Sequence, residues 1–491
     1  MKAAPYAALA AALLAIAPGP ALAQDAQPLD WRALTRADVQ AFAKAQADSH
    51  PGPVDPENPG FRTRFETATA EALAMADQAR TREDWWATLR AYTASFEDGH
   101  VSLGLGEAPP ARDPSWAGFL TAFEGDDQRV VLREDPAAPP LGARLVACDG
   151  KPAAQLAAER VGRYRGRWFL ESQRVRWGSQ VLFDWGHRYD PRSQACDFEV
   201  DGRVQRHVLA WRSGPLSDLS PKLTASAQSF QAPIEMRRLA DGAVWISMGS
   251  FSGDGEAAKA LEALLVRIRS EAAAIRAAPR VVFDLRGNGG GSTWWVQQIA
   301  TELWGEAFVA ARQPPGGVVD WRASPENVSH LAALKASLEA RNPPPIEMVE
   351  WAENARAGLA QAVAQGRPYW RQPGGGEPEP AVSTVSRMKA PAFVLADGAC
   401  ASACLDALDL MKGLGVTQVG RETSADTVYM EIREQRLPSG FASFSIPVKV
   451  YRGRPRGNNE TYRPDHRFAG DMADTAALER WIGGLPANPA G

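Results

Sequence analysis

Histidine, cysteine and long apolar runs are all scarce in this 491-residue chain, and each scarcity removes a class of function. Six histidines are present, His50, His100, His187, His207, His330 and His466. None stands at metal-ligand spacing or in an H-E-x-x-H pattern, so no zinc site is expected. Beyond the first residues no apolar run is long enough to cross a bilayer, which excludes an integral membrane segment. A net charge of −4 supplies no basic field for nucleic acid or anionic lipid. The glycine-rich turn Asp284-Leu-Arg-Gly-Asn-Gly-Gly-Gly291 is followed by neither Gly-Lys-Ser nor Gly-Lys-Thr, and Ser292 breaks the GxGxxG pattern, so nucleotide binding has no support. A Gly-x-Ser-x-Gly elbow, which would suggest an esterase, is also missing.

What is present is ordinary in bulk, 45% apolar and 23% charged, and long enough for two or three domains with a buried core. Residues 1–23 read as a signal peptide: Lys2, an apolar stretch from Ala7 to Ala17, and the small-residue site Ala21-Leu-Ala23 before Gln24. The expected location is periplasmic or secreted. Export would put Cys148, Cys196, Cys400 and Cys404 in an oxidising space, where four cysteines allow three pairings. The local choice is Cys148 with Cys196 and Cys400 with Cys404. The alternative for the second pair is two small buried residues.

Patterning divides the rest. Residues 24–110 read as a helical domain, with Phe61, Phe65, Ala68, Ala72 and Met75 at helical spacing, ending in Glu97-Asp-Gly-His100. Residues 111–225 turn to short β-rich runs punctuated by Asp149-Gly150 and Asp201-Gly202, and Ser213–Ser229, rich in Ser and Pro, reads as a linker. From 226 to 480 strands and helices alternate. The runs Val281–Leu285 and Phe393–Ala396 each end in a tight turn before a helix, which predicts a repeated β-β-α unit. Residues 320–370 read as a helical insertion, followed by a Gly374-Gly-Gly376 loop.

Several short motifs carry chemistry in combination. Ser402 lies in Ala399-Cys-Ala-Ser-Ala-Cys404, His100 closes Asp98-Gly-His100, and Glu460 lies in Asn459-Glu-Thr-Tyr-Arg-Pro-Asp465. Singly each has a bland explanation: a Ser before a helix is usually an N-cap, and a His after Asp-Gly is usually a turn residue. Together they provide a hydroxyl nucleophile, an imidazole base, a carboxylate and, in Gly289, Gly290 and Ala403, backbone amides for an oxyanion, the parts that acyl transfer requires.

The set resembles the C-terminal-processing, or tail-specific, serine peptidases, and especially their tricorn-like branch. The resemblance runs through Asp98-Gly-His-Val-Ser-Leu103, Val282-Phe-Asp-Leu-Arg-Gly-Asn-Gly-Gly-Gly291, Ala396-Asp-Gly-Ala-Cys-Ala-Ser-Ala-Cys404 and Pro464-Asp465. It implies an α/β fold: a crotonase- or ClpP-like β-β-α protease core, a helical N-terminal bundle and a PDZ-like middle domain. It also implies Ser402 as nucleophile, His100 as base, Glu460 as orienting acid, and Gly289 or Gly290 with Ala403 as oxyanion hole. The expected function is an exported serine endopeptidase acting on polypeptides near their C-termini, with no metal or organic cofactor. The rival expectation is a non-catalytic peptide- or ligand-binding protein that keeps the fold. The branch with a Ser-Lys dyad has a lysine in the turn about 25 residues past its nucleophile. Here that segment, Gly420-Arg-Glu-Thr-Ser-Ala-Asp426, offers Asp426, while Lys412 and Lys449 fall on a predicted helix and strand. Gly99 stands where the tricorn-like pattern has a serine.

Overall fold

Four runs of the chain, Val244–Met248, Val281–Asp284, Ala392–Ala396 and Thr417–Gly420, are buried along their whole length. Strands covered on both faces belong at the centre of a parallel sheet, and there the structure, a computed structural model, puts them. It describes residues 28–486 apart from 228–229, 314–316, 342–343, 345 and 374–384. The expected signal peptide and the Gly374–Gly376 loop lie outside the described residues.

The six-stranded central sheet runs in the order Ile234–Arg238, Val244–Met248, Val281–Asp284, Ala392–Ala396, Thr417–Gly420, His466–Arg467. The first pair is antiparallel and the other four pairs are parallel. Helices Gly255–Arg276, Trp294–Trp304 and Ala403–Gly413 seal one face around Ile246, Phe283, Val394 and Leu408. Helix Thr475–Gly483 covers the other through Leu478 and Ile482 against Trp245 and Val282. Its seat is fixed by Arg286, buried with Asp284 and donating to the Met472 carbonyl and the Thr475 hydroxyl.

The N-terminal helices Trp31–Ser49, Gly60–Ala76 and Arg82–Ala94 share their core with a distant strand. Val39, Phe42, Trp85 and Tyr92 pack on Phe444 and Ile446 of Ala442–Arg452. After the third helix the chain turns through Asp98–His100 into Leu103–Leu105, which pairs antiparallel with the same strand, Leu103 opposite Phe444. The segment carrying His100 is thereby anchored at both ends to the C-terminal half of the chain. On its other edge Ala442–Arg452 takes the hairpin partner Tyr429–Arg436. The helices of the expected insertion, Pro325–Glu339 and Ile346–Ala364, are flanked by strands Val318–Arg322 and Tyr369–Arg371, which extend this same sheet.

A separate sheet, Phe119–Glu124, Asp127–Arg133, Arg144–Cys148, Ala195–Val200 and Arg203–Val208, forms the middle region. Cys148 and Cys196 face each other across two of its strands and are disulfide-bonded, with Cα atoms 4.0 Å apart. The reading of Ser213–Ser229 as a linker is corrected: Leu216–Ser226 is a helix despite Pro221, because Leu219 and Leu223 recur at helical spacing and pack against Trp116, Leu120 and Phe183. Among the described residues no helix is long and apolar enough to cross a membrane.

Candidate active site

In an open parallel sheet, ligands gather where the strands end at their carboxyl edge. Three neighbouring strands end together here. Val281–Asp284 leads into the glycine turn, Ala392–Ala396 into Asp397–Ser402, and Thr417–Gly420 into Arg421–Asp426.

Ser402 sits at the mouth of helix Ala403–Gly413 with φ 54° and ψ −128°, a conformation that L residues avoid without support. Two contacts hold it. Its backbone N–H donates to Asp426 Oδ2 at 2.7 Å, and the Cys400–Cys404 disulfide, with Cα atoms 5.3 Å apart, brackets it. Its side chain makes no capping bond to the helix, so the hydroxyl is not spent on the role that the bland reading gives it.

The glycine turn presses against this elbow. A Cβ built on Gly290, whose φ is +107°, would lie 2.7 Å from Ser402 Cβ and 3.0 Å from the Ala403 nitrogen. Only glycine lets the two turns meet so closely. Asn288, fully buried, donates to the Met248 carbonyl at 2.7 Å and accepts the Gly290 N–H at 2.9 Å. Of the expected oxyanion donors, Gly290 is therefore already engaged, whereas the N–H groups of Gly289 and Ala403 have no acceptor among the described residues. Asp397 ties the two turns together, accepting from Gly287 at 3.1 Å and from Ala399 at 3.0 Å. Burial pushes its carboxyl up to about 6, against the pull of those two amides.

His100 arrives from the N-terminal segment. Its carbonyl accepts Ser445 Oγ at 2.6 Å, and its N–H donates to Asp98 Oδ1 at 2.8 Å. Ring Nδ1 lies 3.3 Å from the same oxygen, at ion-pair distance but off the line of a hydrogen bond. Asp98 Oδ2 accepts the Thr427 hydroxyl at 2.7 Å. Burial alone would lower the imidazole, but Asp98 and the Asp426 charge outweigh it together with Arg167, and its pKa stands above the ordinary histidine value. Asp98 moves the other way: burial would raise it, and His100 and Thr427 bring it below the usual carboxylate range. Asp426 stays raised, since its burial is only partly offset by His100 and Arg456.

Glu460 stands elsewhere in the constellation. It is exposed, and its Oε2 accepts the Gly457 N–H at 2.8 Å. The loop it braces docks on the site through Asn459, whose N–H donates to the Asp426 carbonyl at 2.8 Å and whose side chain donates to the Glu97 carbonyl at 2.9 Å. Buried Arg456 fastens the same loop to helix Ala403–Gly413 through Asp406 and Asp409. Lys412 points to Asp465 and Lys449 to Glu431, so each has an acidic neighbour away from Ser402.

Sequence reasoning passed over Asp98, Thr427 and Arg167, and noticed Asp426 only as a missing lysine. Arg167, in a left-handed backbone conformation (φ 48°), reaches in from the middle region and donates to the Ala425 carbonyl. Its Nη2 would lie 2.9 Å from a Cβ on Gly99, so the glycine before His100 makes room for it. Among the described residues no cluster of three or more His, Cys, Asp or Glu is arranged to hold a metal.

No family model and no curated protein matches the sequence. Solved structures do. Mature CPAF is similar over 92% of this chain and 96% of its own, at 13% identity and a TM-score of 0.59. Mature CPAF complexed with lactacystin aligns over 92% and 97%, at 13% identity and a TM-score of 0.58. At that identity the likeness establishes a shared fold along nearly the whole chain. A photosystem II D1 C-terminal processing protease covers 90% of this chain and 94% of its own at 13% identity, with a TM-score of 0.31, a level that carries no weight on fold or activity.

Proposed function

We propose that this protein is an exported serine endopeptidase. The observation that carries the reading is the packing of Gly290 against a serine held in a strained, uncapped conformation, next to an Ala403 amide that has no acceptor among the described residues. Strain of this kind persists where the surroundings over-determine it, and it gathers at reacting centres.

In the proposed reaction His100 Nε2 takes the proton of Ser402 Oγ as the oxygen attacks the scissile carbonyl carbon. The Ala403 and Gly289 amides receive the oxyanion. On collapse the C–N bond breaks, and the leaving amine takes the proton back from His100. Water then attacks the acyl-enzyme, giving a proton to His100, and the ester bond to Ser402 breaks as that proton returns to Oγ. The sequence resemblance adds substrate class and place, polypeptides cut near their C-termini. Glu460 enters this scheme through the loop it braces.

A fluorophosphonate probe tests the reading directly. Labelling is expected at Ser402, lost in Ser402→Ala, and reduced by several orders of magnitude in His100→Ala with the fold intact. Peptide cleavage undiminished in Ser402→Ala overturns the mechanism. Peptide binding with no labelling of the intact protein identifies a binding protein on the same fold.

A further inference from the structure

The geometry assigns the orienting of His100 to Asp98, two residues before it, rather than to Glu460. We infer a positioning carboxylate that shares one turn with the base it serves. The inference rests on Ser402 and His100 as nucleophile and base, and it supplies the third member of that site.

Asp98 meets the requirements of such a group. Its side chain is 3% exposed, and both oxygens are held: Oδ2 by Thr427 at 2.7 Å, Oδ1 by the His100 amide at 2.8 Å. The oxygen fixed by the amide is the one that lies 3.3 Å from Nδ1. Carboxylate and ring are thus tied through a single residue's backbone, with Gly99 at the centre of the turn. A contact slightly long and bent in a free enzyme is common for catalytic pairs and tightens when substrate arrives. A proton on Nδ1 facing Asp98 would leave Nε2 bare for the Ser402 proton, the tautomer the reaction needs. Glu460 offers none of this, because its carboxylate is exposed and occupied by the Gly457 amide of its own loop.

The charges facing His100 turn this assignment into a measurable quantity. Asp98 comes from its own turn, Asp426 from the segment after Thr417–Gly420, and Arg167 from the middle region. Removing the Asp98 charge leaves burial and Arg167, which both disfavour the imidazolium, opposed by Asp426 alone.

The test has two readouts. In the Ser402→Ala protein, the His100 imidazole is titrated by NMR in the full chain, alone and combined with Asp98→Asn or Glu460→Gln. Asp98→Asn is expected to lower the His100 pKa by about one unit or more, and Glu460→Gln, which keeps an acceptor for Gly457, to leave it in place. In the Ser402-containing protein, the fluorophosphonate rate should fall at least about 100-fold in Asp98→Asn, with the midpoint of its pH profile displaced downward. Thr427→Val removes only the donor to Oδ2 and should displace both readouts in the same direction by less, which keeps the test decisive if Asp98→Asn fails to fold. An unmoved His100 pKa in both Asp98→Asn and Thr427→Val overturns the assignment, as does a displacement produced by Glu460→Gln alone. Absence of labelling in the unaltered protein would overturn the peptidase reading instead, while the titration would still report on the Asp98–His100 pair.

Discussion

The carboxylate of Asp426 holds the backbone N–H of Ser402 at 2.7 Å, so that amide is not available to an oxyanion. In many acyl-transfer sites that amide is one of the two donors. Here it helps to keep Ser402 in its strained conformation, and in the proposed site the donors are the next residue and the glycine turn.

Asp426 is therefore expected to matter through its acceptor oxygen more than through its charge. Asp426→Ala should lower kcat about 100-fold by releasing the Ser402 backbone, whereas Asp426→Asn, which keeps an acceptor, should lose much less. The Asn variant should also lower the pH midpoint of turnover slightly, because Asp426 is one of the charges holding the His100 pKa up. Rates measured from pH 5 to 9 separate the two effects.

Gly290→Ala puts a methyl group into contact with Ser402 Cβ and the Ala403 nitrogen at a backbone φ of +107°. The expected cost is about 1–3 kcal/mol in stability together with a fall in kcat of about 100-fold or more. Gly253→Ala, with nothing within 4 Å of the added carbon, is the control and should stay within about threefold. Thermal melts and peptide turnover on the two variants check both numbers.

The two disulfides should separate stability from turnover. Cys148–Cys196 closes a loop with a sequence separation of 48, worth about 4 kcal/mol in the chain-entropy model, against about 2 kcal/mol for the separation of 4 between Cys400 and Cys404. Replacing Cys148 and Cys196 by Ser should lower Tm more. Replacing Cys400 and Cys404 by Ser should lower turnover more, because that pair braces the Ser402 elbow.

Asp397 links stability to pH in an unusual direction. Its folded carboxyl binds a proton more tightly than an unfolded aspartate does, with a pKa raised from 3.8 to about 6. The contribution of this group to stability is fully present below 3.8 and is lost as pH rises to about 6, by up to roughly 3 kcal/mol. Asp397→Asn should flatten that loss, so the Tm of the variant relative to the parent should climb between pH 4 and 6. A difference that stays constant across the window would show that the folded carboxyl titrates normally.

What could be read in advance were the features written in consecutive residues. The buried strands before the glycine turn and before Ser402, the cysteine bracket, and the helical spacing within Gly60–Ala76 and Arg82–Ala94 all lie in short windows. Contacts assembled by the fold could not be read this way. Thr427 meets Asp98 across more than three hundred residues, and Arg167 reaches Gly99 from an irregular segment after the short helix Arg163–Arg165, whose patterning says nothing of the site. Asp98 itself was in view within the His100 motif, but Asp-Gly reads first as a turn, and only the distance to Nδ1 distinguishes a turn residue from a partner of the ring. Glu460 illustrates the converse: its place in a motif suggested the orienting role, while the contact that the fold gives it is the Gly457 amide of its own loop. Leu216–Ser226 was hidden by composition, since a proline and several serines masked three leucines at helical spacing.

Arg167 gives the middle region a consequence beyond shape. Among the described residues its guanidinium is the positive group that opposes protonation of the His100 ring, and it is delivered by a segment that belongs to neither the central sheet nor the N-terminal helices. Drawing that segment away from Gly99 would make the imidazole more basic without touching any residue of the central sheet. A titration of His100 would thus respond to the placing of the Arg167 segment as well as to Asp98 and Asp426.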